Sequence, residues 1–562
     1  MKKKSGVVFI ILALGLVVFG VVFGIITLTQ NIGKNQSQIT EEQAVETMNR
    51  LHRRINVGTL EPVKEPVELE PANLKDALPD ISKYPQQVQA TSALSVEIIS
   101  STEKAGSGND GWLVDMANRF NSSGATVGGK PVSVSIRGIA SGAACDYISS
   151  GKYLPDAFSP SNELWGDDLK AKGIDVTLVE KRLCGNVAGI ALSKSKRDEI
   201  VAKYGSVSVK TVAEATAAGE ITMGYTNPFA SSTGANFLMS LLYTYDKADP
   251  TGEAAASEFI KFQANVPFVA YTTLQMKDSV KSGVLDGFVF EAQQFANSPD
   301  VNAEYVFTPY GVRHDSPVYE IGKLSEEKKQ VLQLFIDYCK TPQAQQAATK
   351  CGFNRHDDYK MELSDVNGAK LAQAQKLWKE KKDSNRDIIA VFVADTSGSM
   401  DGEPLNKLKT SLISGANYIG ADCSVGLVTF SSNVDVALPI GKFDLNQRSL
   451  FTGAVKNMSA GGGTAMFDAI VVAEKMLQDA KASNPNAKLM LFVLTDGESN
   501  QGSTLKDTRR MIEGLQVPVY TIGYNANIDA LAAVSKINEA ASINADTDDV
   551  VYKIQNLFNA EF

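Results

Sequence analysis

Two continuous apolar runs constrain the fold of this chain more than any other feature. Residues 388–394 read Ile-Ile-Ala-Val-Phe-Val-Ala and residues 489–494 read Leu-Met-Leu-Phe-Val-Leu. A strand without a polar face must be covered on both sides, as in a parallel sheet with helices on each face. Helix-like segments alternate with such strands, as at residues 404–419 and 465–477. The C-terminal region is therefore predicted to be a doubly wound α/β domain.

Oxygen-bearing side chains stand where these strands end. Asp395-Thr-Ser-Gly-Ser399 follows the first run, Asp496 follows the second, and Thr464 comes after three glycines. Loops at the carboxyl ends of parallel strands meet at one edge of the sheet. Hydroxyl and carboxylate oxygens are ligands for a small hard cation such as Mg²⁺. The plainer alternative is a serine-rich turn that only caps a helix.

The pattern Asp-x-Ser-x-Ser, with a threonine and an aspartate on later loops, resembles the metal-ion-dependent adhesion site of von Willebrand factor A (vWA) domains. The resemblance covers residues 386–562. It implies that the site holds Mg²⁺, or Mn²⁺ or Ca²⁺, and that an open coordination position accepts an acidic residue of a partner protein. The residues that it implies as metal ligands are Asp395, Ser397, Ser399, Thr464 and Asp496.

Catalysis and nucleic-acid binding are not predicted. Metal-assisted hydrolysis would need a base and a substrate cleft that the sequence does not show. Neither G-x-S-x-G nor H-E-x-x-H occurs in the chain. The net charge of −9 and the lack of a long basic patch argue against a nucleic-acid partner. We therefore expect a binding protein rather than an enzyme.

The N-terminus has the composition of a membrane segment. Three lysines at residues 2–4 precede residues 6–28, which carry no charge. A run of this length can cross a bilayer, and the lysines place its start in the cytoplasm. Residues 1–30 are therefore predicted to be a single-pass signal anchor, with the bulk of the chain extracytoplasmic. A cleaved signal peptide is the alternative.

Residues 31–92 are predicted to form a stalk or linker. Within them, residues 41–55 carry apolar side chains at roughly helical spacing, and residues 61–85 are rich in Pro and Glu. The second composition is typical of an extended spacer. The helix could pack on a partner or lie on its own domain.

Strand-like and helix-like segments alternate from residue 93 to residue 357, with hydroxyl-rich turns between them. This order favours an α/β sheet with ligands at strand ends and helix N-termini. Residues 141–148 (Ser-Gly-Ala-Ala-Cys-Asp-Tyr-Ile) and 154–159 (Leu-Pro-Asp-Ala-Phe-Ser) resemble type II extracytoplasmic solute-binding proteins, particularly the molybdate/sulfate-like group. The resemblance implies a periplasmic-binding-protein-like domain, whose two lobes close over a small-molecule solute.

Six polar residues are candidate solute ligands in this domain. The hydroxyls among them could equally cap helices or close turns. The carboxylate is unusual, because a negative charge beside an oxyanion is unfavourable. Either it points away, or the solute carries a positive group, or the domain has lost solute binding. The six candidates are Ser101, Thr102, Ser141, Thr226, Ser232 and Glu291.

Residues 358–385 are predicted to be a helical linker in which Trp378 could dock one domain on the other. Four of the five cysteines fall in the solute-binding-like region. Outside the cell they could form two disulfides, with three possible connectivities. Cys145–Cys184 together with Cys339–Cys351 is one of these.

The combined features predict a membrane-anchored extracytoplasmic binding or adhesion protein. Its vWA-like domain would bind a partner protein through Mg²⁺, and its solute-binding-like domain would capture or sense a ligand. The main alternative is the substrate-binding receptor of an ABC-type transporter, with the vWA-like domain as a docking adaptor. An assembly factor that works with an ATPase fits less well, because ATP is scarce outside the cell.

Overall fold

The structure is a computed structural model. It describes residues 39–67, 74–270, 285–363, 366–383, 386–524, 542–545 and 550–562, with residues 273, 276, 531, 534 and 535. The predicted membrane segment at residues 6–28 lies outside these ranges. Within them, no helix has both the length and the hydropathy needed to cross a membrane.

The strands of the described residues are β1 (Val57–Thr59), β2 (Gln86–Val88), β3 (Leu94–Ser100), β4 (Thr126–Val127), β5 (Lys130–Gly138), β6 (Ala157–Ser159), β7 (Val176–Glu180), β8 (Val187–Ser193), β9 (Met223–Thr226), β10 (Phe268–Ala270), β11 (Gly287–Glu291), β12 (Tyr305–Arg313), β13 (Val318–Ile321), β14 (Ile388–Asp395), β15 (Ser424–Phe430), β16 (Val434–Lys442), β17 (Lys488–Thr495), β18 (Val519–Tyr524) and β19 (Ser542–Ala545).

The helices are α1 (Glu41–His52), α2 (Leu74–Ala77), α3 (Trp112–Asn121), α4 (Ser141–Ser149), α5 (Leu164–Ala171), α6 (Lys194–Tyr204), α7 (Val209–Ala217), α8 (Ser232–Tyr245), α9 (Glu253–Gln263), α10 (Ala292–Ala296), α11 (Pro299–Glu304), α12 (Glu326–Cys339), α13 (Pro342–Lys350), α14 (Gly368–Lys381), α15 (Glu403–Gly415), α16 (Leu445–Lys456), α17 (Met466–Ser483), α18 (Leu505–Leu515) and α19 (Val550–Glu561).

Two sheets form the two lobes of the region between β2 and α13. The first lobe has the strand order β2-β5-β3-β6-β13-β7, with β4 paired to β5, and the second has the order β10-β9-β11-β8-β12. The chain enters the second lobe between β7 and β8 and returns between β12 and β13, so two short crossovers join the lobes. This is the two-lobed α/β architecture that the sequence predicted.

The C-terminal domain is built on a sheet of order β1-β16-β15-β14-β17-β18-β19. The first apolar run forms the central strand β14, which pairs in parallel with β15 and β17. All eight residues of β14 are buried. Alternate residues of this strand enter two separate cores, one with α15, α16 and α19 and the other with α1, α17 and α18. The prediction of a doubly wound α/β domain is confirmed, and the structure adds that β16 pairs antiparallel with β15.

Part of the predicted stalk is folded against the C-terminal domain. Helix α1 begins at a capping box in which Thr40 and Gln43 bond each other's backbone. It buries one face in the core with α17 and α18. A Cβ on Gly514 would lie 2.6 Å from the Ala44 Cβ, so α18 needs glycine for this close approach. The stalk interpretation is corrected here: the helical spacing was visible in the sequence, but the surface that receives the helix was not.

The chain that follows α1 extends the same domain. β1 pairs in parallel with β16, at the edge of the sheet. Glu65 N donates to Ser449 O at 3.2 Å, and Ser449 Oγ donates to Glu65 O at 2.8 Å. Further along, β2 pairs with β5 of the first lobe. In chain order the two-lobed domain therefore lies between two parts of the C-terminal domain.

The two domains meet at the end of the C-terminal sheet where its parallel strands begin. Lys488 Nζ, on the first residue of β17, lies 2.7 Å from Oδ1 of Asp383, which follows α14. Tyr552 OH donates to Asp146 Oδ2 of the first lobe at 2.9 Å. Because β14 is eight residues long, its other end at Asp395 is about 23 Å away at 3.3 Å per residue. The contact between domains is thus remote from the strand ends that carry the predicted metal ligands.

All five cysteines are free thiols. Cys145 lies in one hydrophobic core, while Cys184 lies in another, where its Sγ is 3.6 Å from Ser316 Oγ. Burial raises the pKa of Cys184 to about 12, which keeps it a thiol. The two disulfides considered from the sequence, Cys145–Cys184 and Cys339–Cys351, are therefore absent.

Glu474 is expected to destabilise the C-terminal domain as the pH rises. It is fully buried on α17, and no hydrogen-bond partner for its carboxyl oxygens is found in the described part of the chain. Burial raises its pKa to about 8. The folded state therefore holds the proton more tightly than the unfolded state. The contribution of protonated Glu474 to the free energy of unfolding is fully present below about pH 4.5, and it is lost as the pH rises towards 8.

We therefore expect Glu474→Gln to raise the free energy of unfolding relative to wild type, by on the order of 3 kcal/mol more at pH 8 than at pH 5. Urea denaturation at both pH values measures this difference. Asp479→Asn is the matched control, because Asp479 is exposed on the same helix and pairs with Lys475. An equal increase in the free energy of unfolding at pH 5 and pH 8 in Glu474→Gln would contradict the raised pKa of Glu474.

Candidate functional site

The predicted metal ligands lie at the end of the C-terminal sheet where its parallel strands finish. Asp395 is the last residue of β14 and pairs in register with Phe430 of β15. On the other side, Ala394 pairs with Leu494 of β17, two residues before Asp496. The turn after β14 is held to β15, because Thr396 N donates to Phe430 O at 2.8 Å. Parallel pairing therefore brings Asp395 and Asp496 to the same edge.

Asp395 is fully buried and its carboxylate is fixed at both oxygens. Oδ1 accepts from Ser397 N at 2.7 Å, and Oδ2 accepts a short hydrogen bond from the Thr495 hydroxyl. Burial raises the pKa of Asp395, the hydrogen bonds from Thr495 and Ser397 oppose this, and the neighbouring Asp496 charge adds to it. Thr495 was missed from the sequence, although a threonine at the end of an apolar strand was a visible signal.

A chain of hydrogen bonds joins three of the predicted ligands. Ser397 Oγ lies 3.1 Å from Ser399 Oγ, and Ser399 Oγ donates to Asp496 Oδ1 at 2.8 Å. These oxygens come from two loops that are almost one hundred residues apart in sequence. They are neutral or singly charged donors that a hard cation can share.

The glycine-rich loop lies against the same turn. Gly461 N donates to Thr396 O at 2.9 Å, and Gly398 N donates to Gly462 O at 3.1 Å. Gly462 has φ of +80°, a conformation that L side chains rarely adopt. This contact places Thr464, the fifth predicted ligand, in the loop that borders the site.

Asn500 holds Thr464 in place and was not identified from the sequence. Its Oδ1 accepts from Thr464 N at 2.9 Å, and its backbone N donates to Thr464 O at 3.0 Å. Asp468 was considered as a residue near the site. Its Oδ1 accepts from Ser503 N at 2.9 Å, which fixes the loop that carries Asn500. Glu498, the other residue considered, is exposed.

The donor set fits a hard divalent cation. It offers two carboxylates and three hydroxyls, the oxygen ligands that Mg²⁺ prefers, and leaves most of the ion's charge to be balanced from outside. Among the residues that the structure describes, no group of three or more His, Cys, Asp or Glu side chains is placed to hold a metal. Ser397 makes no capping hydrogen bond to the short 3₁₀ turn that follows it, so its hydroxyl does not have the alternative role of a helix cap.

The hydroxyl of Ser101, a candidate solute ligand of the first lobe, bonds to the protein itself. Ser101 Oγ donates to Glu103 Oε1 at 2.5 Å and accepts from the Lys104 ammonium, which also donates to Ser159 O at 2.9 Å. Burial tends to raise the pKa of Glu103, but the Lys104 charge and the bond from Ser101 lower it further than burial raises it. Thr102, in contrast, is exposed. The Glu103–Lys104 pair was not identified from the sequence.

Three further candidates form hydrogen bonds within one lobe or between the two. Ser141 Oγ accepts from Ser161 N at 3.4 Å, within the first lobe. Thr226 Oγ1 donates to Ser231 Oγ at 2.9 Å, within the second. Ser232, also of the second lobe, accepts a 2.8 Å bond across the interface from Trp165 Nε1.

Glu291 points into a buried network at the crossovers between the lobes. Its Oε2 accepts from Asn186 Nδ2 at 2.8 Å, and its Oε1 from Thr233 Oγ1 at 3.2 Å. His314 Nδ1 lies 3.0 Å from Oε1. Both carboxylate oxygens of Glu291 therefore have hydrogen-bond partners inside the protein.

The protonation of His314 follows from its neighbours. Asn236 Oδ1 accepts from Val312 N at 2.9 Å, so the amide nitrogen of Asn236 must face His314 Nε2, at 3.2 Å. Nε2 is therefore an acceptor and Nδ1 carries the proton, which it donates to Glu291. This makes His314 a fully buried link between the second lobe and the crossover.

Two family models match the chain. The model for the bacterial extracellular solute-binding protein matches residues 105–354, and the model for the von Willebrand factor type A domain matches residues 390–560. The chain is a solute-binding-protein domain followed by a vWA domain. The two domain types that the resemblances implied are thereby confirmed.

Curated relatives match over part of the chain. Inter-alpha-trypsin inhibitor heavy chain H1 of Mesocricetus auratus is 28% identical over 31% of this chain and 20% of its own length. An uncharacterised protein of Synechocystis is 25% identical over 26% of this chain and 34% of its own length. The chain thus spans at most about a third of the length of these relatives.

Solved structures resemble each domain at low identity. The sulfate-binding protein SubI of Mycobacterium tuberculosis has 13% identity and a TM-score of 0.34, covering 51% of this chain and 91% of that chain. A von Willebrand factor type A structure from Catenulispora acidiphila has 19% identity and a TM-score of 0.29, covering 31% and 42%.

Proposed function

We propose that the protein is a non-catalytic extracytoplasmic binding protein whose vWA domain captures a partner protein through a divalent cation. The observation that carries this proposal is the continuous contact from Ser397 through Ser399 to Asp496. Asp395 precedes the same turn, and Thr464 is on the adjoining glycine-rich loop. Mg²⁺ fits this oxygen set best, and Mn²⁺ or Ca²⁺ are the other hard cations that it could hold.

Each residue has a distinct part in this site. A bound cation would supply a positive centre with an open position for an acidic residue of the partner. Ser397, Ser399 and Thr464 offer oxygens without adding negative charge, so a carboxylate from outside is still attracted. Thr495 keeps the Asp395 carboxylate in one orientation. Asn500 holds the Thr464 backbone in one position. The site would therefore lose little conformational entropy when a cation binds.

The surroundings of the protein are part of the proposal. The match to an extracellular solute-binding family supports an extracytoplasmic location. Residues 6–28 would anchor the chain in the cell membrane with a cytoplasmic N-terminus. Since the domains contact each other at the opposite end of the vWA sheet, the metal face is left free for a partner.

Paramagnetic Mn²⁺ tests both the cation and the open position. Bound Mn²⁺ that keeps exchangeable water should enhance water-proton relaxation, and a glutamate-containing peptide should reduce this enhancement by displacing the water. The same peptide with glutamine is the control. Equal effects of the two peptides would contradict recognition of a carboxylate, and no enhancement at all would contradict the cation site.

A second candidate function is solute capture for a transporter, favoured by the family match over residues 105–354. Native mass spectrometry of the full chain would detect a retained solute. A bound small molecule that is lost in Ser141→Ala would support this function. A spectrum with a divalent ion alone would favour partner binding by the vWA domain.

A further inference from the structure

The linker helix contacts both lobes of the solute-binding domain. At its start, Gly368 lies so close to α5 of the first lobe that a Cβ would be 2.1 Å from Asp167 O. Near its end, Trp378 is fully buried and donates from Nε1 to Tyr225 OH of the second lobe at 2.6 Å. One rigid helix of fourteen residues therefore bridges the two lobes.

The contacts with the second lobe concentrate on one loop. Gln375 Nε2 donates to Pro228 O at 2.8 Å, and the ring of Phe229 lies 5.9 Å from that of Trp378 in an edge-on arrangement. The next residue of this loop, Ala230, accepts a backbone hydrogen bond from Gly142 N of the first lobe at 3.3 Å. The helix thus holds the second-lobe loop at the place where the lobes touch.

The lobes are closed on each other by their own polar groups. Trp165 Nε1 of the first lobe donates to Ser232 Oγ of the second. At another contact, Gln293 Nε2 of the second lobe donates to Asp110 Oδ1 of the first at 2.8 Å. A Cβ on Gly142 would lie 2.4 Å from Phe229 O, so the approach is close enough to require glycine. In this structure the lobes are therefore held together by direct contacts between their own residues.

The far end of the helix is fixed to the vWA domain. Lys382 Nζ, almost fully buried, donates to Glu561 O at 2.6 Å and pairs with Asp383 at 3.0 Å. Asp383 in turn pairs with Lys488 at the start of β17. The helix cannot leave the lobes without disturbing this charged cluster.

We propose that α14 is a strap that holds the two lobes closed, so that the solute-binding domain opens only when the strap is released from the loop at Pro228 and Phe229. The vWA domain, which holds the other end of the strap, then controls whether a solute can enter. This device is independent of the metal site and acts on the solute-binding domain of the proposed function.

Distance measurement between spin labels on the two lobes tests the strap. Labels replace Glu326 of the first lobe and Asp198 of the second, both highly exposed. Cys351→Ser removes the one cysteine that is not buried. The strap is weakened in the full chain by combining Gln375→Ala with Trp378→Ala. Lys376→Ala is the matched control, because Lys376 is exposed on the same helix.

We expect a single short distance between the labels in wild type and in the control. In the variant with the weakened strap, the fraction of molecules with open lobes should increase about tenfold, because the strap no longer favours the closed state of a two-state equilibrium. Gly368→Val is the second variant, since it displaces the strap from the first lobe without removing the tryptophan. Circular dichroism confirms that each variant is folded, and if the double variant is not, Gly368→Val decides. An unchanged short distance in the folded strap variants would overturn the proposal.

Discussion

Asp395→Ala is expected to lower the affinity of the protein for Mg²⁺ or Mn²⁺ by about 100-fold or more, because even residues that only orient a ligand change metal affinity by about 10- to 100-fold. Asp395 is one of only two carboxylates in the donor set. It is also the side chain that Ser397 N and the Thr495 hydroxyl hold in a single orientation. Isothermal titration with Mn²⁺ gives the affinity directly.

One further variant separates the effect of charge from that of shape at this position. Asp395→Asn keeps one oxygen that can accept from Ser397 N and places an amide nitrogen, a donor, beside the Thr495 hydroxyl. It removes the charge at nearly the same shape, so it should also bind the cation weakly while remaining folded. Asp401→Asn is the control, because Asp401 is exposed in the same loop and is not a predicted ligand. Unchanged affinity in both Asp395 variants would exclude this residue from the metal site.

Glu291→Ala is expected to lower the free energy of unfolding of the solute-binding domain by about 3–5 kcal/mol, because it leaves several buried donors without an acceptor. The donors are the side chains of Asn186, Thr233 and His314. The network joins the second lobe to the crossovers, so its loss should loosen the connection between the lobes. Calorimetry of the full chain would resolve the transition of this domain.

The control for Glu291 is a carboxylate in the same lobe without a buried network. Glu304→Ala removes an exposed side chain, and we expect an effect within about 0.5 kcal/mol. If Glu291 were instead a solute ligand, Glu291→Ala would leave the unfolding transition unchanged and abolish only solute binding. The two roles therefore predict opposite results in one experiment.

The place where the two domains touch limits how lobe closure could affect the metal site. The strap and the C-terminal helix meet at the beginning of the vWA strands, whereas the metal ligands stand at their ends, about 23 Å away for eight residues of strand. In the part of the chain that the structure describes, these domain contacts thus lie at the end of the sheet opposite the predicted metal ligands. Any influence of lobe closure on partner binding must pass through the sheet and its helices.

The role of the Ser232 hydroxyl could not be predicted from the sequence. Ser232 was a reasonable candidate ligand, since it opens a helix after a strand. In the structure its hydroxyl accepts from Trp165 of the other lobe. A hydroxyl at a helix N-terminus can bind a solute, cap the helix or bridge two lobes, and the choice depends on how far the opposite lobe is.

The sequence by itself determined the class of both domains and the identity of the candidate metal ligands. Short continuous apolar runs that end in polar turns and alternate with helical segments are typical of strands covered on both faces. Parallel neighbours finish at one edge, which predicted that Asp395 and Asp496 lie close together. These conclusions follow from local periodicity and from the fixed geometry of a sheet, which any chain with this pattern shares.

Only the tertiary structure decided what each amphipathic surface packs against. Residues 41–55 had the spacing of a helix and residues 61–85 the composition of a spacer, yet α1, β1 and the chain as far as Glu65 pack on the vWA domain. Likewise Trp378 was an expected docking residue, but its contact with the second lobe through Tyr225 was not foreseeable. Periodicity shows which face of a helix is buried, whereas the partner of that face depends on distances between residues remote in sequence, which no local pattern records.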